Sequence, residues 1–124
     1  MIEKPRPSKK EMINAYKLKQ FKVGVYQIRN TRNNKIFVEG SVNLEAIWNR
    51  NQVQLKFGNH QNEALQKDWN EFGSDHFVFE IISEIQQTEG ELKDYGKEVK
   101  QLEAMFIEEL QPYDEKGYHR KKAK

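Results

Sequence analysis

The stretch from Phe21 to Glu39 constrains the fold more than any other part of the chain. Phe21 to Arg29 alternates apolar and polar residues and is enriched in β-branched side chains, the signature of a strand with one face on a core. Asn33-Asn34 then supplies two residues that tolerate the positive φ of a tight hairpin turn. Lys35 to Glu39 returns as the partner strand. The pattern predicts an antiparallel hairpin from residues 23–29 and 35–39.

Further along, Asn43 can cap a helix that places Leu44, Ile47, Trp48 and Leu55 on one face and ends at Gly58. A second helix is expected to start at Asn59 or His60, bury Leu65, Trp69 and Phe72, and stop at Gly73. Phe77 to Ile82 is apolar apart from Glu80, which predicts a third strand covered on both faces. Thr88 and Glu91 have capping-box spacing. The helix after them sets Leu92, Tyr95, Val99, Leu102, Phe106 and Leu110 at three- and four-residue steps until Pro112 stops it. Gly96 inside that helix costs about 1 kcal/mol relative to alanine, so its first turns are expected to fray. Ser8 and Glu11 repeat the capping-box spacing at the head of a short basic helix, behind a Pro5/Pro7 arm. Strands and helices are mixed without βαβ alternation. The fold class is therefore α/β in the α+β sense, a three-stranded, mostly antiparallel sheet flanked by helices.

A chain of 124 residues is enough for one core without staples. It contains no cysteine, which excludes disulfides and thiolate metal sites and fits a reducing, cytoplasmic setting. No apolar run approaches the roughly 20 residues of a membrane span, and the N-terminus is polar, so neither membrane insertion nor secretion is expected. The net charge of +2 conceals an asymmetry: +8 over residues 1–35, −9 over 36–110 and +3 over 111–124. Basic ends around an acidic middle suit an anionic partner gripped by the termini; the competing reading is that these are solvated helix faces and tails. The chain divides into a basic arm and helix over 1–22, a domain over 23–119 and a basic tail over 120–124.

Gly24-Val25-Tyr26, ten further residues and then Phe37-Val38-Glu39 resembles the signature of the GIY-YIG nuclease family. Ser41-Val42-Asn43-Leu44 is similar to the family's turn into its first helix. His60, Asn62, the run from Leu65 to Asn70 and Phe72-Gly73 resemble the second helix of its small bacterial members. Phe77 to Ile81 is similar to the third strand, Leu102-Glu103 with Phe106-Ile107 to the helix bearing a metal-binding glutamate, and Gly117-Tyr118 to the closing motif. The resemblance spans about residues 23–119. It implies a DNA-cutting ancestry: strand tyrosines that position a water, a helical arginine that stabilises the phosphate, and one glutamate holding Mg or Mn.

Carried over residue by residue, the catalytic candidates are Tyr26, Phe37, Arg50, Glu103 and His119. Tyr26 keeps the first tyrosine's hydroxyl, whereas Phe37 lacks that of the second. Glu39 replaces the signature glycine and adds negative charge where a phosphate should approach. The family's arginine falls at Ile47, on the apolar stripe of its helix, which should leave no cation against the Tyr26 hydroxyl. Arg50, one turn on, is the nearest substitute. The histidine often found one turn after the arginine falls at Asn51, and the final asparagine at His119. Glu103 matches the metal glutamate, against which stands the reading of a solvated helix charge. His60 and His76 share no metal-ligand spacing and are expected to cap or face solvent. Trp48, Trp69 and Phe106 read as core residues rather than platforms for bases. The nucleic-acid contacts are expected from Lys9, Lys10, Lys17, Lys19, Arg120, Lys121 and Lys122. The leading expectation is a degenerate nuclease-like domain that binds nucleic acid, DNA by resemblance, and cuts weakly or not at all. Two alternatives stand beside it: an active metal-dependent endonuclease using Tyr26, Glu103 and Arg50, and a protein-interaction domain.

Overall fold

A computed structural model describes residues 21–87 and 94–120. The expected N-terminal helix, the Thr88/Glu91 capping box, Leu92 and residues 121–124 lie outside them. The element order is β1 (Gly24–Asn30), β2 (Ile36–Ser41), α1 (Leu44–Lys56), α2 (Glu63–Phe72), β3 (Phe77–Glu84) and α3 (Gly96–Leu110), with 3₁₀ turns at Ser74–His76 and Asp114–Lys116. The strands form one antiparallel sheet in the order β2-β1-β3. This is the helix-flanked sheet that the sequence predicts.

The period-two alternation of β1 divides its side chains between the two faces of the sheet. Tyr26, Ile28 and Asn30 are fully buried, and the register sets Phe37, Phe79 and Phe77 beside them on the neighbouring strands. Helices α1 and α2 cover this face with Leu44, Leu55 and Leu65. Trp48 stacks on Phe79 at 5.5 Å and Trp69 tilts against Phe77 at 5.2 Å between ring centroids. On the opposite face Gln27 and Arg29 both bond Glu80, at 3.0 and 2.8 Å. Truncating Leu55 or Leu65 to alanine costs about 2–5 kcal/mol. The Arg29–Glu80 pair lies at the surface, where solvent screening leaves an ion pair little net stabilisation. Apolar packing therefore holds the sheet to its helices.

Four local expectations are corrected. The hairpin turn is a four-residue loop closed by Asn30 N–H to Lys35 O at 2.9 Å, and of the asparagine pair Asn34 takes positive φ, at 63°. Asn30 itself makes this loop, its buried side chain accepting from Arg32 N–H at 2.9 Å. Helix α2 starts later than expected because Asn62, not Asn59 or His60, caps it, accepting from Leu65 N–H at 2.9 Å. Strand β3 lies at a sheet edge, so its apolar run is only partly covered and Ile81 is 46% exposed. Helix α3 begins at Gly96, where low helix propensity is least costly, and Tyr95 stands just outside it, packed with Val23 and Val99 in a second small cluster. Gly58 and Gly73 end α1 and α2 with φ of 77° and 90°, a conformation L side chains rarely adopt.

Candidate active site

Strand β2 is the other edge of the sheet, and an edge strand presents backbone groups that need partners. Its outward groups find them in the C-terminal part of the chain. Ile36 O accepts from Tyr118 N–H at 3.0 Å. Val38 N–H donates to His119 Nε2 at 2.8 Å, and Gly40 N–H to Glu103 Oε2 at 2.8 Å. Two-residue steps along β2 thus dock successively on the tail and on α3. The ring of His119 also stacks on buried Phe37, 5.2 Å away and 9° from parallel. Beside this seam a cleft of about 290 Å³ is lined by Phe37, Val38, Glu39, Gln61, Asn62, Glu103 and His119.

Tyr26 faces Glu39 across the β1–β2 ladder, and its hydroxyl donates to Glu39 Oε1. The phenol oxygen accepts from Asn51 Nδ2 at 2.9 Å. The Asn51 carbonyl lies 2.6 Å from His60 Nε2, while His60 Nδ1 accepts Asn62 N–H at 3.0 Å. An imidazole accepting at Nδ1 carries its proton on Nε2. Donation therefore runs in one direction, from Asn62 N–H through His60, Asn51 and Tyr26 to the Glu39 carboxylate. Glu39 Oε2 receives a further bond from Gln61 at 3.1 Å. Burial, with Glu103 in electrostatic range, raises the proton affinity of Glu39 above the usual carboxylate range, although the Tyr26 and Gln61 bonds and the charge of Arg50 oppose the rise. Burial and the neighbouring Glu39 charge push Tyr26 far above the ordinary phenol range. The Tyr26 phenol stays protonated.

The sequence-derived candidates are only partly assembled. Tyr26, Phe37, Glu103 and His119 meet around the cleft. Arg50 does not line it; the side chain is exposed and reaches Glu39 only through its charge. Ile47 is half-buried against the apolar cluster, and the Tyr26 hydroxyl has Glu39 and Asn51 as its partners. Arg120 is exposed, 3.6 Å from Glu63, and Lys9, Lys10, Lys17, Lys19, Lys121 and Lys122 lie outside the described residues. Glu103 is no solvated helix charge, because it seals the edge of β2. His60 is the residue that sequence reasoning missed: it is 6% exposed and fixes Asn51. The available signal was the buried Tyr26 phenol itself, which needs partners, with Asn51 one turn beyond Ile47 on the site-facing helix.

The two histidines give the site an acid-sensitive stability. Burial holds His60 and His119 below the ordinary imidazole range. The unfolded chain then binds more protons, so stability is lost as pH falls from the unfolded value of about 6.5 through the folded ones. Glu39 acts with the opposite sign, its contribution being lost as pH rises through its raised folded value. Thermal unfolding followed from neutral to mildly acidic pH should show a falling midpoint, and His60→Asn should shrink the fall. An unchanged pH dependence in that variant would place the imidazole in solvent.

No protein-family model matches the chain. Over 66 residues, 52% of this chain, it is 41% identical to intron-associated endonuclease 1 of Enterobacteria phage T4. The chain spans 26% of that phage protein's length. Two solved structures of the catalytic domain of intron endonuclease I-TevI, one of them a variant, superpose with TM-scores of 0.67 and 0.64 at 32% and 31% identity. They cover 80% and 77% of this chain and 93% and 95% of their own.

Proposed function

Because the chain belongs to the GIY-YIG nuclease family, we propose that it is a DNA-binding domain of that family in which phosphodiester hydrolysis is slow. The observation that carries the reading is Ile47. It packs against the apolar cluster at the position where the family resemblance implies an arginine. Phosphoryl transfer gathers charge on the non-bridging oxygens, and a well-placed arginine contributes on the order of 10³–10⁵ in rate. An isoleucine contributes none of this, and the exposed Arg50 is not in the cleft. The endonuclease names of the relatives support DNA as the substrate.

The cleft offers the carboxylate of Glu103, the kind of hard oxygen donor that Mg²⁺ and Mn²⁺ prefer. Among the described residues no three His, Asp or Glu side chains converge as a ligand set. Glu103 would hold such an ion, with water and phosphate oxygens completing the shell. When bound, such an ion would supply Lewis-acid stabilisation of the phosphoryl charge.

The test is the intact chain on supercoiled plasmid and labelled duplex, with Mg²⁺ or Mn²⁺ at two salt concentrations. Salt-sensitive binding with slow, metal-dependent nicking is expected, and Arg50→Ala should change the nicking rate less than about threefold. A loss near 10³-fold in that variant would give Arg50 the arginine's role. Absence of binding at low salt would favour a protein-interaction domain.

A further inference from the structure

We propose that Glu39 is the base that takes the proton of the attacking water, with Tyr26 as the residue that positions its carboxylate. The inference rests on the reading of this domain as a slow nuclease. Elimination within the cleft leads to it. Tyr26 is fully buried, and its hydroxyl proton is already given to Glu39. His119 commits the Nε2 lone pair to Val38 N–H, so its other ring nitrogen carries the proton and cannot accept one. Glu103 is engaged at Gly40, and it is the carboxylate the metal would take. Glu39 remains: a half-buried carboxylate lining the same cleft, with one donor on each oxygen and lone pairs left over.

The hydrogen-bond chain explains why that carboxylate holds still. Asn62 N–H, His60, Asn51 and Tyr26 all donate toward Glu39, so no member can rotate without leaving a buried polar atom unpaired, which is costly. A base works only within hydrogen-bond reach of the proton it takes. In the proposed step an O–H bond of water breaks and its proton passes to a Glu39 oxygen. The water oxygen bonds to phosphorus, the bond from phosphorus to the leaving deoxyribose oxygen breaks, and that oxygen takes a proton from solvent. Glu39 then returns its proton to solvent. The residue that departs from the family signature by adding charge would thus also do the chemistry of the missing strand hydroxyl.

Single-turnover nicking by the intact chain with Mn²⁺, measured across pH together with duplex affinity, tests this. Wild type should gain about tenfold in rate per pH unit on the acid side and then level off. Glu39→Gln should lose about 100-fold or more in rate and lose the pH dependence, while binding DNA at least as tightly because one negative charge is gone. Tyr26→Phe removes a donor to the carboxylate, so the midpoint of its pH profile should move upward with a smaller loss of rate; a merely structural tyrosine would leave the midpoint where it is. Wild-type rate and pH profile in Glu39→Gln would overturn this proposal alone. Binding without nicking by wild type would overturn both the proposal and the hydrolytic half of the functional reading.

Discussion

Removing residues 1–10 together with residues 120–124 is expected to abolish DNA binding at physiological salt while the domain still folds. The two deletions take away Lys4, Arg6, Lys9 and Lys10 at one end and Arg120, Lys121, Lys122 and Lys124 at the other. Thirteen Lys/Arg then face eighteen Asp/Glu, and an acidic protein is repelled by phosphate. Among the described residues the buried core lies between Val23 and Tyr118, outside both deletions. If the ends of the intact chain make about four phosphate contacts, affinity should fall with salt at a log–log slope of roughly −3 to −4. Between about 50 and 200 mM salt that amounts to about 100-fold. Fluorescence anisotropy on a labelled duplex reads both the slope and the effect of truncation. Micromolar binding retained by the truncated chain would place the DNA surface elsewhere.

Gly24→Val should lower stability by about 3 kcal/mol. A Cβ at Gly24 would stand 2.0 Å from the carbonyl oxygen of Ser83 and 2.9 Å from the Cα of Glu84. Both are backbone atoms of β3, and neither can turn aside as a side-chain tip would. The approach is this close next to the register shift between Val25 and Tyr26 in the β1–β3 pairing. Accommodating valine means parting the central strand from its neighbour. The melting midpoint should drop by roughly 10–15 °C for a domain of this size. A midpoint within a degree or two of wild type would show that β1 and β3 are not paired in this register.

The family resemblance explains neither of these effects physically; close backbone approach and charge placement do. The same distinction separates what was legible in the sequence from what was not. The hairpin, the two helices ending at glycines, the third strand and the long helix were legible because each rests on local periodicity and local capping. Asn43 caps the helix where the sequence places it, and Gly58 and Gly73 stop their helices. Mistakes gathered where a tertiary contact competes with a local signal. An apolar run cannot say whether its strand lies at the centre or the edge of a sheet. The second helix was expected to start at Asn59 or His60, but Asn62 caps it and His60 is buried against Asn51.

By itself the sequence determined the element types, the antiparallel hairpin, and the place of Ile47 on the apolar stripe of its helix. Each follows from residue identity together with a two- or near-four-residue period. Only the tertiary structure decided what Glu39, Glu103 and His60 touch. Glu103 reaches Gly40 across 63 positions and His119 reaches Val38 across 81. Whether a carboxylate is a solvated helix charge or the seal on a strand edge depends on which distant backbone group is left without a partner. Periodicity carries no record of that, because hydrogen-bond satisfaction is settled by the whole fold at once.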